Sequence, residues 1–81
     1  MIVSHLNPSS AWLLKFLAAR HPLGIASTAP LPDSGTVPKP TLMTVWGLVR
    51  RGWVREHIYG IFYITEKGLE AAKALAEREH V

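Results

Sequence analysis

The sequence predicts a small α+β domain in which three helices accompany one β-hairpin. Apolar residues at helical spacing indicate the helices, and alternating side chains around a short turn indicate the hairpin. The 81 residues make one domain, 1–81, with a small core that can still fold alone. Hydrophobic residues are 48% and charged residues 19%, a balance typical of a globular chain rather than a disordered one.

The first helix is predicted to begin at Asn7 and Pro8. Asparagine can cap the free amides of a helix, and proline suits the first helical position. His21 and Pro22 end the helix, because the residue before a proline is pushed out of the helical region. The apolar stripe between these ends consists of Trp12, Leu13, Phe16 and Leu17.

Residues 22–40 form a Pro-rich loop that holds five of the six prolines. A connection of this length without regular structure is unusual in a compact domain. Two interpretations stay open. The segment either contains a short helix or strand around residues 25–31, or it is an elaborated functional loop.

A second helix is predicted over residues 39–51, starting at Lys39 or Pro40. Arg50 and Arg51 suit its last turn because cations complement the helix dipole, and Gly52 can take the left-handed position that follows. Its buried face is predicted to consist of Leu42, Val45, Leu48 and Val49. This placement leaves more exposed Lys39, Pro40, Met43, Thr44, Trp46, Gly47 and Arg50.

The hairpin is predicted from two short strands, 53–56 and 61–65, around a turn near residues 57–60. Phe62 and Ile64 should share one face of the second strand, with Tyr63 on the other. Thr65 can cap a final helix over 66–79, and Glu66 suits its first turn. The apolar stripe of that helix is predicted as Leu69, Ala72, Leu75 and Ala76.

Composition excludes several classes of function. There is no cysteine, and the four histidines lack metal-ligand spacing, so we expect no disulfide, metal or cofactor. Neither a nucleophilic Gly-x-Ser-x-Gly motif nor a phosphate-binding glycine loop is present, so we expect no enzyme. No apolar run approaches the roughly 20 residues that span a bilayer, and a basic signal sequence is lacking. These observations predict a soluble, cytoplasmic protein without membrane partners.

The charge is concentrated in the middle of the chain. The net charge is +3 overall, and residues 36–65 alone carry four cations against one acid, Glu56. Such a segment suits an anionic partner. The competing interpretation is a solvated helix end, since Arg50 and Arg51 already complement the helix dipole.

Residues 37–69 resemble the second half of the winged helix-turn-helix family, found in small bacterial and phage transcription regulators. Members commonly show Leu-x-x-x-Gly-x-Val at the end of the recognition helix, and Tyr-x-Leu-Thr-x-x-Gly at the end of the wing. The matching residues are Val37, Thr41, Val45, Leu48, Gly52, Val54, Phe62, Ile64, Thr65, Gly68 and Leu69. The resemblance implies three main helices and a wing sheet of two or three strands. The stretch "PLGIASTAPLPDSG" stands in place of the family's second helix, which is therefore expected to be reduced or irregular.

The resemblance implies duplex DNA binding in transcriptional control, through helix 39–51 and wing 53–65. The implied contact residues are Lys39, Thr41, Thr44, Arg50, Arg51, Arg55 and His57. The recognition helix lacks the Asn or Gln that makes a bidentate contact with adenine, so its capacity to distinguish sequences looks weak. A homodimer through helices 8–20 and 66–79 is expected, because one small module buries little surface on DNA.

Trp46 supports an alternative function. If it is exposed, it forms with Met43 and Tyr59 a surface that suits a protein partner, as in a small phage-type inhibitor or adaptor that also uses the Pro-rich loop. We instead expect the Pro-rich loop to fold back over Trp46, because a recognition helix without a bracing helix needs something packed against it.

Overall fold

The computed structural model describes residues 6–26, 31–32, 35–57 and 60–79. These residues form an α+β domain with three helices and a three-stranded antiparallel sheet. No helix in the described ranges is both long and apolar enough to cross a membrane. The elements in chain order are α1 (Pro8–Arg20), β1 (Ile25–Ala26), α2 (Leu42–Arg50), β2 (Val54–Glu56), β3 (Ile61–Ile64) and α3 (Glu66–Glu79).

Helix α1 has the predicted ends. The Asn7 side chain accepts a hydrogen bond from the Ser10 amide at 2.8 Å, and Pro8 is the first helical residue. His21 leaves the helical region with a ψ of 135°, as expected before a proline. Trp12 lies at the edge of the core rather than inside it, with its ring 5.3 Å from that of Phe16.

The Pro-rich loop contains a strand, which confirms the first of the two open interpretations. This strand, β1, pairs with β3 so that Ile25 lies opposite Phe62, and the sheet order is β1-β3-β2. A Cβ at Gly24 would lie 2.5 Å from the Phe62 carbonyl oxygen, so the chain approaches β3 closely only because glycine precedes the strand. The described residues between β1 and α2, which are 31–32 and 35–41, contain no helix.

Helix α2 begins later than predicted. Thr41 is its N-cap residue, and the Thr41 amide donates to Thr44 Oγ1 at 3.1 Å. Pro40 was expected to be exposed but is buried, because the segment before the helix packs inward. Ser9 Oγ donates to the Pro38 carbonyl at 2.6 Å and ties that segment to the start of α1. The helix ends as predicted, with Gly52 at a φ of +79°.

The hairpin and α3 follow the predicted pattern with small corrections. Phe62 and Ile64 are buried and Tyr63 is half-buried, which confirms the alternation along β3. The predicted turn is confirmed by the Gly60 amide, which donates to the His57 carbonyl at 2.9 Å. In α3 the predicted stripe is wrong at one position, since Ala76 is exposed while Ala71 is buried, so the buried face is rotated toward Ala71.

All three helices and the sheet contribute to one core. α1 packs against both α2 and α3, and α2 also packs against β2. This packing fixes the orientation of α2, because Val45 and Leu48 are fully buried. The buried apolar residues are Leu13, Leu14, Leu17, Val45, Leu48, Trp53, Val54, Phe62, Ile64, Ala71, Ala72 and Leu75.

Thr65 connects three elements through its hydroxyl group. Oγ1 accepts from the Gly68 amide at 3.1 Å, which caps α3 as predicted, and donates to the Gly52 carbonyl at 2.7 Å, beyond the end of α2. We expect Thr65→Val, which loses both bonds but keeps the shape, to lower the free energy of unfolding by about 1–2 kcal/mol. Urea unfolding measures the change. Thr65→Ser keeps the hydroxyl and should stay near wild type, and equal stability of all three proteins would contradict the prediction.

Candidate functional site

The outward surface of α2 carries the candidate site. Met43, Trp46, Gly47 and Arg50 are spaced at i, i+3, i+4 and i+7, so they form one continuous face of the helix. The opposite side of α2 is held in the core by Val45 and Leu48. Met43 is 83% exposed, the most exposed of the large apolar residues in the described ranges. The prediction that Met43 faces outward is therefore confirmed.

Leu42 enlarges this surface, contrary to expectation. It was assigned to the buried face, but it is 44% exposed. Because α2 begins only at Leu42, the side chain lies at the end of the helix and beyond the part that packs on the core. Leu42, Met43 and Trp46 together form what we call the apolar patch.

Trp46 is 42% exposed, so the expectation that the Pro-rich loop buries it is wrong. Its ring instead packs edge-on against Phe62, with the ring centroids 5.4 Å apart and the planes at 89°. Phe62 lies in the central strand of the sheet and is fully buried. The sheet therefore braces α2 at this point, and one side of the indole stays open to solvent.

Gly47 is the only glycine inside α2, and nothing nearby requires it. A Cβ built at this position meets no atom within 4 Å, although a glycine inside a helix costs about 0.5–1 kcal/mol relative to alanine. Gly47 lines two hollows beside α2. One, of about 260 Å³, is lined by Met43, Trp46, Gly47 and Arg50. The other, of about 280 Å³, is lined by Leu6, Asn7, Ser10, Met43, Thr44, Gly47 and Arg51.

Cationic residues lie at both ends of α2. Lys39 is exposed just before the helix rather than inside it, which corrects the predicted start at residue 39. Arg50 is the last helical residue and is exposed. Arg51 follows as the C-cap, with its guanidinium carbon 5.2 Å from the centroid of the Trp53 ring. The sequence contains no acidic residue between Asp33 and Glu56, so no carboxylate of this segment offsets these charges.

The two threonines of the predicted site lie at the start of α2. Thr41 is exposed, whereas Thr44 is half-buried. The Thr44 hydroxyl oxygen already accepts a hydrogen bond from the Thr41 amide. The hydroxyl group is therefore available to a partner mainly as a hydrogen-bond donor. Both residues therefore have a structural role at the helix start, and Thr41 is the better placed to contact a partner.

The predicted wing residues are exposed but point away from the face of the sheet that contacts α2. Arg55 pairs with Tyr63 across β2 and β3, on the side opposite to Phe62. His57 is exposed at the end of β2, with its ring 6.1 Å from that of Tyr63. The structure thus groups Arg55, His57 and Tyr63 apart from the apolar patch. Tyr59 lies outside the described residues.

Two further observations bear on the site. Within the described ranges, no three residues of the types His, Cys, Asp and Glu are grouped closely enough to hold a metal ion. Comparisons with protein-family models, curated proteins and solved structures found no match.

The sequence did indicate most of the candidate site. Met43, Trp46 and Gly47 stand out in a helix whose other apolar residues have the spacing of a buried face. Only the exposure of Leu42 gave no signal in the sequence.

Proposed function

We propose that this chain is a winged-helix protein that binds duplex DNA in transcriptional control, with α2 as the recognition helix and β2–β3 as the wing. The order of elements supports the resemblance, since α2 comes directly before the hairpin and β1 completes a three-stranded sheet. A role of this kind places the protein in the cytoplasm of a bacterial cell. The resemblance covers residues 37–69, and the stretch "PLGIASTAPLPDSG" stands in place of the family's second helix.

The observation that carries this proposal is the charge along the exposed surface of α2. Lys39, Arg50 and Arg51 are exposed, and no acidic residue occurs from position 34 to 55. Phosphate contacts from such cations position a protein on DNA and supply most of its sequence-independent affinity. Arg55 is exposed on the hairpin, on the side of the sheet opposite to Phe62, and would add a separate phosphate contact from the wing.

A homodimer through α1 and α3 belongs to the same proposal. The two helices pack on each other and leave an open groove of about 390 Å³ between them. The groove is lined mainly by small apolar side chains: Lys15, Ala18, Ala19, Leu69, Ala72, Lys73 and Ala76. A second copy bound there would present two α2 helices to two half-sites, and this would compensate for the small surface of one module.

The test is the salt dependence of binding to a mixed-sequence duplex, followed by fluorescence anisotropy. A variant with Lys39 and Arg50 changed to alanine should bind more weakly, and its slope of log K against log salt should fall by about 0.9 for each phosphate that the variant no longer neutralises. Arg51 is left in place because it stacks on Trp53 and contributes to packing.

The matched control removes the same number of cations from α3, at Lys67 and Arg78, which are exposed and do not line the groove proposed for the dimer. Both variants have the same net charge, so a general electrostatic effect would weaken them equally. Circular dichroism and urea unfolding establish that each variant is folded. Equal losses in the two variants would contradict the proposed interface, and absence of binding by the wild type at low salt would contradict DNA binding itself.

The apolar patch favours a second candidate function, binding to a partner protein. Three large apolar side chains exposed on one short helix are the kind of surface that marks a protein interface. In that case Trp46 would be the anchor, because aromatic residues that are partly held by their own fold often dominate binding energy. A pull-down in which Met43→Ala loses a partner, while the α3 variant with Lys67 and Arg78 changed to alanine retains it, would favour this candidate.

A further inference from the structure

The centre of the outward α2 face is apolar, while its margins are cationic. Met43, Trp46 and Gly47 lie between Lys39 on one side and Arg50 with Arg51 on the other. This arrangement is complementary to a major groove, whose rims are phosphate rows and whose floor consists of base edges. The side chains on the outward face of α2 therefore indicate which groups on the base edges they could contact.

Base edges are recognised by a small set of side chains. Arginine and lysine suit guanine, asparagine and glutamine suit adenine, carboxylates suit cytosine, and apolar groups suit the C5-methyl group of thymine. The sequence of α2, LMTVWGLVR, contains only Thr44 and Arg50 as hydrogen-bonding residues apart from the indole of Trp46. Of these, the Thr44 oxygen is already engaged at the helix start. The central contacts of α2 are therefore mainly apolar, with Arg50 at the end.

Gly47 allows a partner group to come close to the helix backbone at the centre of this face. The hollow beside it is lined by Met43, Trp46 and Arg50, and a side chain at position 47 would extend into open space. Because no internal contact accounts for the glycine, its cost to the helix is best explained by a partner group that comes near the backbone there. A methyl group is small and apolar enough to enter such a hollow.

We propose that the outward face of α2 recognises the C5-methyl groups of pyrimidines in the major groove, with Met43 and Gly47 as the contact residues. This inference rests on the proposed DNA binding and names what that surface recognises. Thymine and 5-methylcytosine present the same methyl group at the same position of the groove, so both belong to the proposed ligand class. Arg50 then adds a contact to phosphate or guanine at one end.

The experiment compares duplexes that differ only in these methyl groups, by fluorescence anisotropy at one salt concentration. A thymine-rich duplex is tested beside the same sequence with deoxyuridine in every thymine position. A GC-rich duplex is tested with cytosine and with 5-methylcytosine. The proteins are the wild type, Met43→Ala and Leu23→Ala, the last of which removes an exposed leucine far along the chain from α2.

The wild type is expected to bind the thymine duplex more tightly than the deoxyuridine duplex, by about fourfold for each methyl group buried. It should also prefer the 5-methylcytosine duplex. Met43→Ala should lose most of both preferences, and Leu23→Ala should keep them. Gly47→Ala, which adds a methyl group inside the hollow, should fold and yet bind the thymine duplex more weakly. Trp46 is not a useful variant, because its ring also packs on Phe62.

Three different results would overturn the inference in whole or in part. If the wild type binds DNA but does not distinguish thymine from deoxyuridine or cytosine from 5-methylcytosine, methyl recognition is wrong while DNA binding stands. If no duplex is bound even at low salt, DNA binding fails and methyl recognition fails with it. A methyl preference that survives unchanged in a folded Met43→Ala variant would also overturn the assignment of the contact to Met43.

Discussion

Phe62→Ala is expected to lower the free energy of unfolding by about 3–5 kcal/mol, the range for losing a fully buried phenylalanine ring. Phe62 is 1% exposed and lies in the central strand, opposite Ile25 in β1 and Glu56 in β2. Its ring also packs against the Trp46 ring, with the two ring planes nearly perpendicular. The substitution would therefore leave a cavity between the sheet and α2 that its neighbours can close only in part.

The loss is large for a domain of this size. At roughly 0.05–0.15 kcal/mol per residue, a chain of this length has about 4–12 kcal/mol of stability in total. The variant should unfold at a much lower urea concentration than the wild type. Phe62→Leu, which keeps most of the apolar volume, should lose less, and Tyr63→Ala, on the other side of the same strand, should also lose less. A loss below about 1 kcal/mol for Phe62→Ala would contradict the central place of this ring in the core.

Phe62 also shows why the hairpin and the cap of α3 could be predicted while the packing of Trp46 could not. The alternation of Phe62, Tyr63 and Ile64 and the cap at Thr65 depend on neighbours in the sequence, so the sequence alone indicates them. The packing of Trp46 on Phe62 joins residues that are 16 positions apart in the chain. No local pattern contains that contact, and the expectation that a loop would cover Trp46 failed for this reason.

The start of α2 illustrates a second limit. Two prolines and a lysine before an apolar stripe are compatible with a helix that begins at residue 39, since proline is tolerated in a first turn. The helix in fact begins after the Thr41 N-cap, and Ser9 donates a hydrogen bond to the Pro38 carbonyl just before it. The bond from Ser9 is a long-range contact, and beside it Pro40 is buried while Leu42 is exposed. The candidate site therefore differs most from its prediction where α1 meets the segment before α2.

Gly68→Ala is expected to destabilise the protein by about 1–3 kcal/mol or more, although alanine is the better helix former. Gly68 is buried in the first turn of α3, and a Cβ there would collide with the carbonyl oxygen of Trp53. That carbonyl cannot easily move, because it accepts a hydrogen bond from the Thr65 amide at 2.9 Å. The side chain of Ile64 would lie 2.6 Å from the added carbon.

Gly47→Ala is the matched control for this substitution, since the same change is made inside another helix. No atom lies within 4 Å of the added carbon at position 47, so this variant should be more stable than the wild type by about 0.5–1 kcal/mol. Urea unfolding of the two variants should therefore give changes of opposite sign. A destabilised Gly47→Ala would mean that the fold itself needs the hollow beside α2, and a glycine kept there for a binding partner would be ruled out. If instead the variant is more stable and binds its partner less well, position 47 trades stability for function, because the free helix favours alanine and the complex favours glycine.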